Sequence, residues 1–206
     1  MDEHFPAGID EAGRGCLIGP MFMVCLVVKN HSVFNKIKLA DSKKYGSSEK
    51  ARKQRASVFA QLANCCSIFS VEVPARIIDR EVLQGEGLNA LERKCASHLL
   101  STGSSGVRTI ADGVSIFRPL TELYANLAVE NKADQTHRAV MAASVCAKHF
   151  RDQWVDTYFR QMETVVGYHA DGGGYVNKKT LQFIEDYQKI MEAKPPHIRD
   201  SWKLKA

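Results

Sequence analysis

Residues 21–28 read MFMVCLVV, eight consecutive apolar side chains without a polar break. A run of this length suits a buried strand and falls far short of a membrane span. A strand with no polar positions needs cover, so the run calls for a sheet with other elements packed over it. Just upstream, residues 8–15 read GIDEAGRG. Residues 5–10 and 20–29 are therefore expected to form an antiparallel pair of strands joined by that glycine-rich turn.

The rest of the chain alternates strand-like and helix-like stretches. SSEKARKQRASVFAQLANCC carries Val58, Phe59, Leu62 and Ala63 at helical spacing behind a serine suited to N-capping. CSIFSVEV (66–73) reads as a strand and 86–100 as a helix with Leu88, Leu91, Cys95 and Leu99 on one side. VRTIAD (107–112) ends a further strand at Gly113, and NLAVEN suits a short one. THRAVMAASVCAKHFRDQWVDTYF predicts a long helix burying Ala139, Ala142, Ala143, Cys146, Phe150 and Trp154. A last helix is expected over about 178–191. At 206 residues the chain can bury a sizeable core, and no internal repeat or linker divides it. The expected architecture is a single α/β domain over 1–206, a central mixed sheet flanked by helices, with a C-terminal loop and helix from about 165.

The net charge of +5 is compatible with an anionic partner without a histone-like excess. Neither a membrane-spanning run nor a signal-peptide layout is present, and a cytoplasmic protein is expected. The six cysteines show no CxxC pair and no zinc-like His spacing. Reduced thiols are the better reading.

Four acids stand at element ends. Asp10 and Glu11 close the first strand, Asp112 closes another before Gly113, and Asp134 precedes the long helix. Singly, Asp112 could be a turn residue and Asp134 a helix cap. The adjacent Asp10–Glu11 pair is harder to explain as solvated surface. Such acids can converge on one sheet edge, and with no Cys or His beside them they favour hard cations such as Mg²⁺ or Mn²⁺. Two such ions suit in-line phosphoryl displacement.

GIDEAGRG, LADSKK (39–44), IADG (110–113), KADQTHRAVMAASVCAKHFRD (132–152) and GY (174–175) occur in the order seen in type 2 ribonucleases H. Over nearly its whole length the chain resembles the bacterial ribonuclease HII form. The resemblance implies an RNase H-like fold and an endonuclease that cuts the RNA strand of RNA–DNA hybrids. It also implies incision 5′ of ribonucleotides embedded in duplex DNA, leaving 3′-hydroxyl and 5′-phosphate ends, with roles in ribonucleotide and primer removal. The family's metal-binding acids fall on Asp10, Glu11, Asp112 and Asp134. By analogy Asp10 bridges two Mg²⁺ or Mn²⁺ ions, one lowering the pKa of the attacking water and the other stabilising the departing 3′ oxygen.

The same resemblance makes Gly13, Arg14, Gly15 and Tyr175 the ribonucleotide sensor. The 2′-hydroxyl distinguishes RNA from DNA locally. Glycines let a backbone approach the sugar, the Arg14 fork can hold a phosphate, and a tyrosine ring can stack on the neighbouring deoxyribose. Lys43, Ser144 and Lys148 are expected phosphate contacts. Ser144 and Lys148 share a helix face.

Some residues depart from the family pattern. Cys16 stands where proline usually follows GRG, an exchange expected to loosen the turn while keeping its amides. HADGGGY (169–175) is short and lacks lysines, and PPHIRDSW has Asp200 in place of an arginine. A monomer without a clear clamp-binding motif is expected. An HIII-like preference for longer RNA runs and a catalytically silent hybrid-binding protein stay as alternatives. GRG is the HII form of the turn, and clustered acids with no metal would repel phosphate.

Overall fold

The computed structural model describes residues 5–37, 39 and 48–202. Strands β1 (Ala7–Ala12) and β2 (Met21–Val28) pair antiparallel, with Asp10 opposite Val24. Strand β3 (Cys66–Val73) adds to the far edge of β2. On its other side β1 pairs parallel with β4 (Thr109–Asp112), which pairs parallel with β5 (Leu127–Glu130). The order is β3-β2-β1-β4-β5, so β1 is central. The carboxyl ends of β1, β4 and β5 therefore lie along one edge.

The apolar run of β2 is explained by two covered faces. Val24, Leu26 and Val28 pack with Val58 and Leu62 of helix α1 (Glu49–Ala63) on one side. Met21, Met23 and Cys25 face helices α2 (Ala75–Gln84) and α3 (Leu88–Thr102) on the other, against Ile78, Leu91, Cys95 and Leu99. Successive strand residues point to opposite faces, so only a doubly covered strand can be apolar at every position. Ser48 caps α1, its hydroxyl accepting from the Ala51 amide at 3.2 Å.

After β4 comes a short helix α4 (Val114–Phe117), and after β5 a single turn α5 (Ala133–Thr136). Helix α6 (Arg138–Val166) follows and packs along β1. Its alanines let it come very close. A Cβ added to Gly8 would stand 2.4 Å from Ala139 C and Val140 N, so β1 and α6 meet nearly backbone to backbone.

At about 1.5 Å per residue α6 outruns the sheet. Its second half needs its own core, supplied by Leu17, Ile18 and helix α7 (Lys178–Met191) around Tyr158, Phe159 and Phe183. Phe150 and Trp154, expected to be buried, lie at the handover between these cores and are only half-buried. Phe150 stacks edge-on against Phe59 at 5.2 Å, and Trp154 lies flat on Tyr158 at 5.1 Å. Helix α2 was not anticipated from sequence. Among the described residues no helix is long and apolar enough to cross a membrane. All six cysteines are free thiols.

Candidate metal centre and the adjoining turn

Asp10, Asp112 and Asp134 converge. One carboxylate oxygen of each lies within 4.8 Å of the others. Register explains two of them: β1 and β4 run parallel with Ile9 beside Ala111, so the next residues, Asp10 and Asp112, stand side by side where that pairing ends, although β1 itself runs on to Ala12, beyond the 5–10 expected. Asp134 is brought in by α5, the turn linking β5 to α6. The Asp112 carboxylate accepts from the Ala133 amide at 3.3 Å, which ties that turn to the end of β4.

Asp10 is 7% exposed and Asp134 3%. Burial pushes the Asp10 carboxyl up to about 7, and the nearby Asp112 charge adds to this. A hydrogen bond from Ser144, the Glu11 amide at 2.8 Å and the charge of Lys148 oppose it. Clustered carboxylates in so little water are costly without a cation. The all-oxygen donor set fits Mg²⁺ or Mn²⁺ rather than a soft metal.

Ser144 and Lys148 share the predicted helix face, and that face looks onto Asp10. Ser144 is 1% exposed and is engaged with the carboxylate. Glu11 falls outside the cluster of three. Strand alternation turns it toward Glu92 and Arg14, and burial with the Asp10 and Glu92 charges holds its carboxyl well above the usual range. Lys43 lies outside the described residues.

The Gly-Arg-Gly turn follows directly. Gly13 has φ +84°, and a Cβ there would stand 2.7 Å from the Pro20 carbonyl. Gly15 is exposed, with nothing within 4 Å of an added Cβ, so its backbone is open to close approach. Arg14 is more committed than a phosphate fork would be. Its Nε donates to Glu92 at 2.8 and 3.1 Å, and Nη2 to Asn89 Oδ1 at 2.6 Å. Glu92 is fully buried on α3, where desolvation raises its carboxyl pKa against the pull of Arg14.

Tyr175 reaches this turn from the far end of the chain. It pairs with Cys16 as an antiparallel bridge, while the Gly174 carbonyl accepts from Leu17 at 2.7 Å and Ile18 at 3.0 Å. The ring is half-exposed. Partial burial and the Cys16 thiol push its hydroxyl up to about 12. Cys16 does not leave the turn loose: its amide donates to the Gly13 carbonyl at 3.4 Å, a bond proline could not make.

Three buried charged residues at this turn had no role assigned from sequence: Glu92, Arg151 and Arg199. A signal existed for the first two. Glu92 lies four residues from both Leu88 and Ala96, and Arg151 four from Ala147, each on an apolar helix face.

The family model described as Ribonuclease HII matches residues 7–205. A ribonuclease HII of Saccharolobus solfataricus is 31% identical over 206 residues, covering 96% of this chain and 90% of the relative. The Archaeoglobus fulgidus ribonuclease HII solved in complex with PCNA superposes with a TM-score of 0.77 at 21% identity, covering 95% of this chain and 92% of that one. Bst ribonuclease HIII, solved in complex with Mn²⁺, gives 0.67 at 17% identity, over 91% of this chain and 63% of that one. The two ribonuclease HII relatives are archaeal, so the bacterial form expected from the motifs is not what these similarities support.

Proposed function

Since the chain belongs to the ribonuclease HII family and is thus a metal-dependent type 2 ribonuclease H, we propose that it incises 5′ of single ribonucleotides in duplex DNA as well as cutting RNA–DNA hybrids. The products are a 3′-hydroxyl and a 5′-phosphate. The observation that carries this reading is the convergence of Asp10, Asp112 and Asp134 within 4.8 Å, three residues along β1 from the Gly13–Arg14–Gly15 turn.

Asp10, Asp112 and Asp134 would hold the divalent ions, and Glu11, which lies outside their cluster, would have to turn toward them to join as a ligand. When bound, the ions supply Lewis-acid activation of the attacking water and of the leaving 3′ oxygen. Ser144 and Lys148 oppose protonation of Asp10, and Lys148 also adds positive charge where a phosphate arrives. The open backbone of Gly15 meets the 2′-hydroxyl, and the exposed face of Tyr175 packs on the neighbouring deoxyribose. These contacts read sugar and phosphate rather than bases, which suits action in any sequence context. Ribonucleotide removal from DNA is the role this chemistry serves, in the cytoplasm. The PCNA complex of the Archaeoglobus relative makes a sliding clamp a candidate partner here too.

The test compares duplexes holding one ribonucleotide, a four-ribonucleotide run and an all-RNA strand, each with Mg²⁺ and with Mn²⁺. Tyr175→Ala is expected to lower incision at the single ribonucleotide at least about tenfold more than cleavage of the all-RNA strand, of the order of one lost stacking contact. Equal loss on both substrates would remove Tyr175 from the sensor.

A further inference from the structure

The PPHIRDSW segment has no part in the chemistry above, yet it delivers a buried cation to the turn. Arg199 is 1% exposed, and its guanidinium bonds only to backbone carbonyls among the described residues. Nε and Nη2 donate to Gly19 at 2.9 and 2.8 Å, Nη2 also to Gly13 at 2.7 Å, and Nη1 to Arg14 at 2.8 Å. The chain 13–19 is thus folded around one planar group that touches both of its ends.

The backbone of the segment adds to the hold. The Arg199 amide donates to Leu17 at 2.8 Å, the Gly19 amide to His197 at 2.8 Å, and Ile18 bridges Ile198. The segment is itself anchored, because the Asp79 carboxylate accepts from the Asp200 and Ser201 amides at 3.1 and 2.9 Å. Trp202 covers one face of the guanidinium at 5.0 Å.

A second arginine ties the same chain to the other half of the sensor. Arg151 of α6, 3% exposed, donates from Nη2 to Ile18 at 2.6 Å and to Gly173 at 3.1 Å, two residues before Tyr175. Trp154 lies under it at 5.4 Å. Its Nε and Nη1 have no acceptor among the described residues, so Arg199 is the fuller of the two ties.

We propose that Arg199 is a positioning residue for ribonucleotide recognition, fixing the Gly13–Arg14–Gly15 backbone against Tyr175, with Arg151 as the second tie. The inference rests on reading that turn and Tyr175 as the sensor. A turn with two glycines samples many conformations unless something outside it selects one. A contact to a single hydroxyl needs its partners placed within a fraction of an ångström, and misplacement by about 1 Å costs up to about a hundredfold. Only a planar group with five fixed donors can span the Gly13, Arg14 and Gly19 carbonyls together. The three donors of a lysine radiate from one atom.

The test is Arg199→Lys in the full chain, with kcat/KM measured on a duplex holding one ribonucleotide and on an all-RNA/DNA hybrid. The ratio of the two values does not depend on the fraction of enzyme that folds. A positioning role lowers the single-ribonucleotide value at least about tenfold more than the hybrid value, within the range expected for misplacement. Arg151→Lys shifts the ratio the same way by less, and supplies the measurement should Arg199→Lys not fold. An unchanged ratio in the soluble variants, with or without a drop in melting temperature, overturns the proposal and leaves Arg199 a stabilising residue. Tyr175→Ala, run alongside, separates the two ideas. If it is selective and the arginine variants are not, the positioning role alone falls. If Tyr175→Ala is unselective, the sensor reading falls and the proposal with it.

Discussion

Replacing Asp10 with Asn should stabilise the metal-free enzyme while disabling it. The carboxyl is 7% exposed, and burial beside Asp112 raises it from 3.8 to about 7. Between about pH 4 and pH 7 the folded chain therefore holds a proton that the unfolded chain has released. Stability falls as pH rises across that window and levels off above it. The full displacement corresponds to about 4 kcal/mol. Water reaching the half-buried Asp112 at the sheet edge relaxes part of this, and about 2 kcal/mol is the realistic share at pH 8. Asn keeps the shape and can still accept from Ser144 and the Glu11 amide, so it removes the penalty without opening a cavity. For a chain of this size the gain is about 4–8 °C in melting temperature.

The assay is thermal melting in EDTA at pH 8 and pH 5, wild type against Asp10→Asn, followed by titration with Mg²⁺ or Mn²⁺. The variant should melt higher at pH 8, and its advantage should shrink by more than half at pH 5. Added metal should raise the wild type much more than the variant, and hybrid cleavage should be nearly abolished in the variant while hybrid binding survives. An Asn variant no more stable than wild type at pH 8, or equally favoured at both pH values, would refute burial of a charged Asp10 as the source of the cost. Full cleavage by the variant, or by wild type in EDTA, would refute the metal centre.

Gly8→Ala should lower the melting temperature by about 6–12 °C, because the new methyl meets the α6 backbone at 2.4 Å and the helix cannot yield cheaply, at about 3 kcal/mol or more. A shift under about 2 °C in a melting experiment would mean that β1 and α6 are not in near-backbone contact. Ser144→Ala removes a hydrogen bond that holds the Asp10 pKa down, so the acidic limb of the cleavage pH profile should move upward. At saturating metal the loss should be about tenfold at pH 6.5 and much smaller at pH 8.5, on the scale of a hydrogen bond to a charged group. A loss that is uniform with pH would place Ser144 in substrate binding instead.

The sheet was legible because its strands carry unambiguous period or length. CSIFSVEV occupies β3 at the expected bounds, β2 falls one residue inside the expected 20–29 at each end, and the last helix starts and stops where its pattern does. Helix α2 escaped because ARIIDREVLQ is short and begins right after Pro74, so its apolar face is spread over few turns. Phe150 and Trp154 are less buried than their helical spacing implies for another reason. Helical spacing assigns a face but not what lies opposite, and beyond the sheet α6 passes from one core to another.

At the site, what was legible is what is close in sequence or strongly typed. Acids at strand ends can be read as a cluster because parallel strands share an edge, and β1 and β4 do so. The partners that restrain the turn could not be read that way. Glu92 stands 78 residues from Arg14, and Arg199 stands 186 from Gly13. The apolar helix face around Glu92 marks it as buried but not what it meets, and the context of Arg199 does not say whether it is solvated or buried, so only the fold decides. Contiguity sets the other half of the design. Asp10 lies in β1 and Gly13 directly follows that strand, three residues on, so whatever fixes the turn also fixes its distance from the acid cluster. If the turn reads the ribonucleotide as proposed, a rigid link of that kind sets where the cut falls. The link is one central strand packed against α6, and the freedom left in its glycines is removed from the opposite end of the chain.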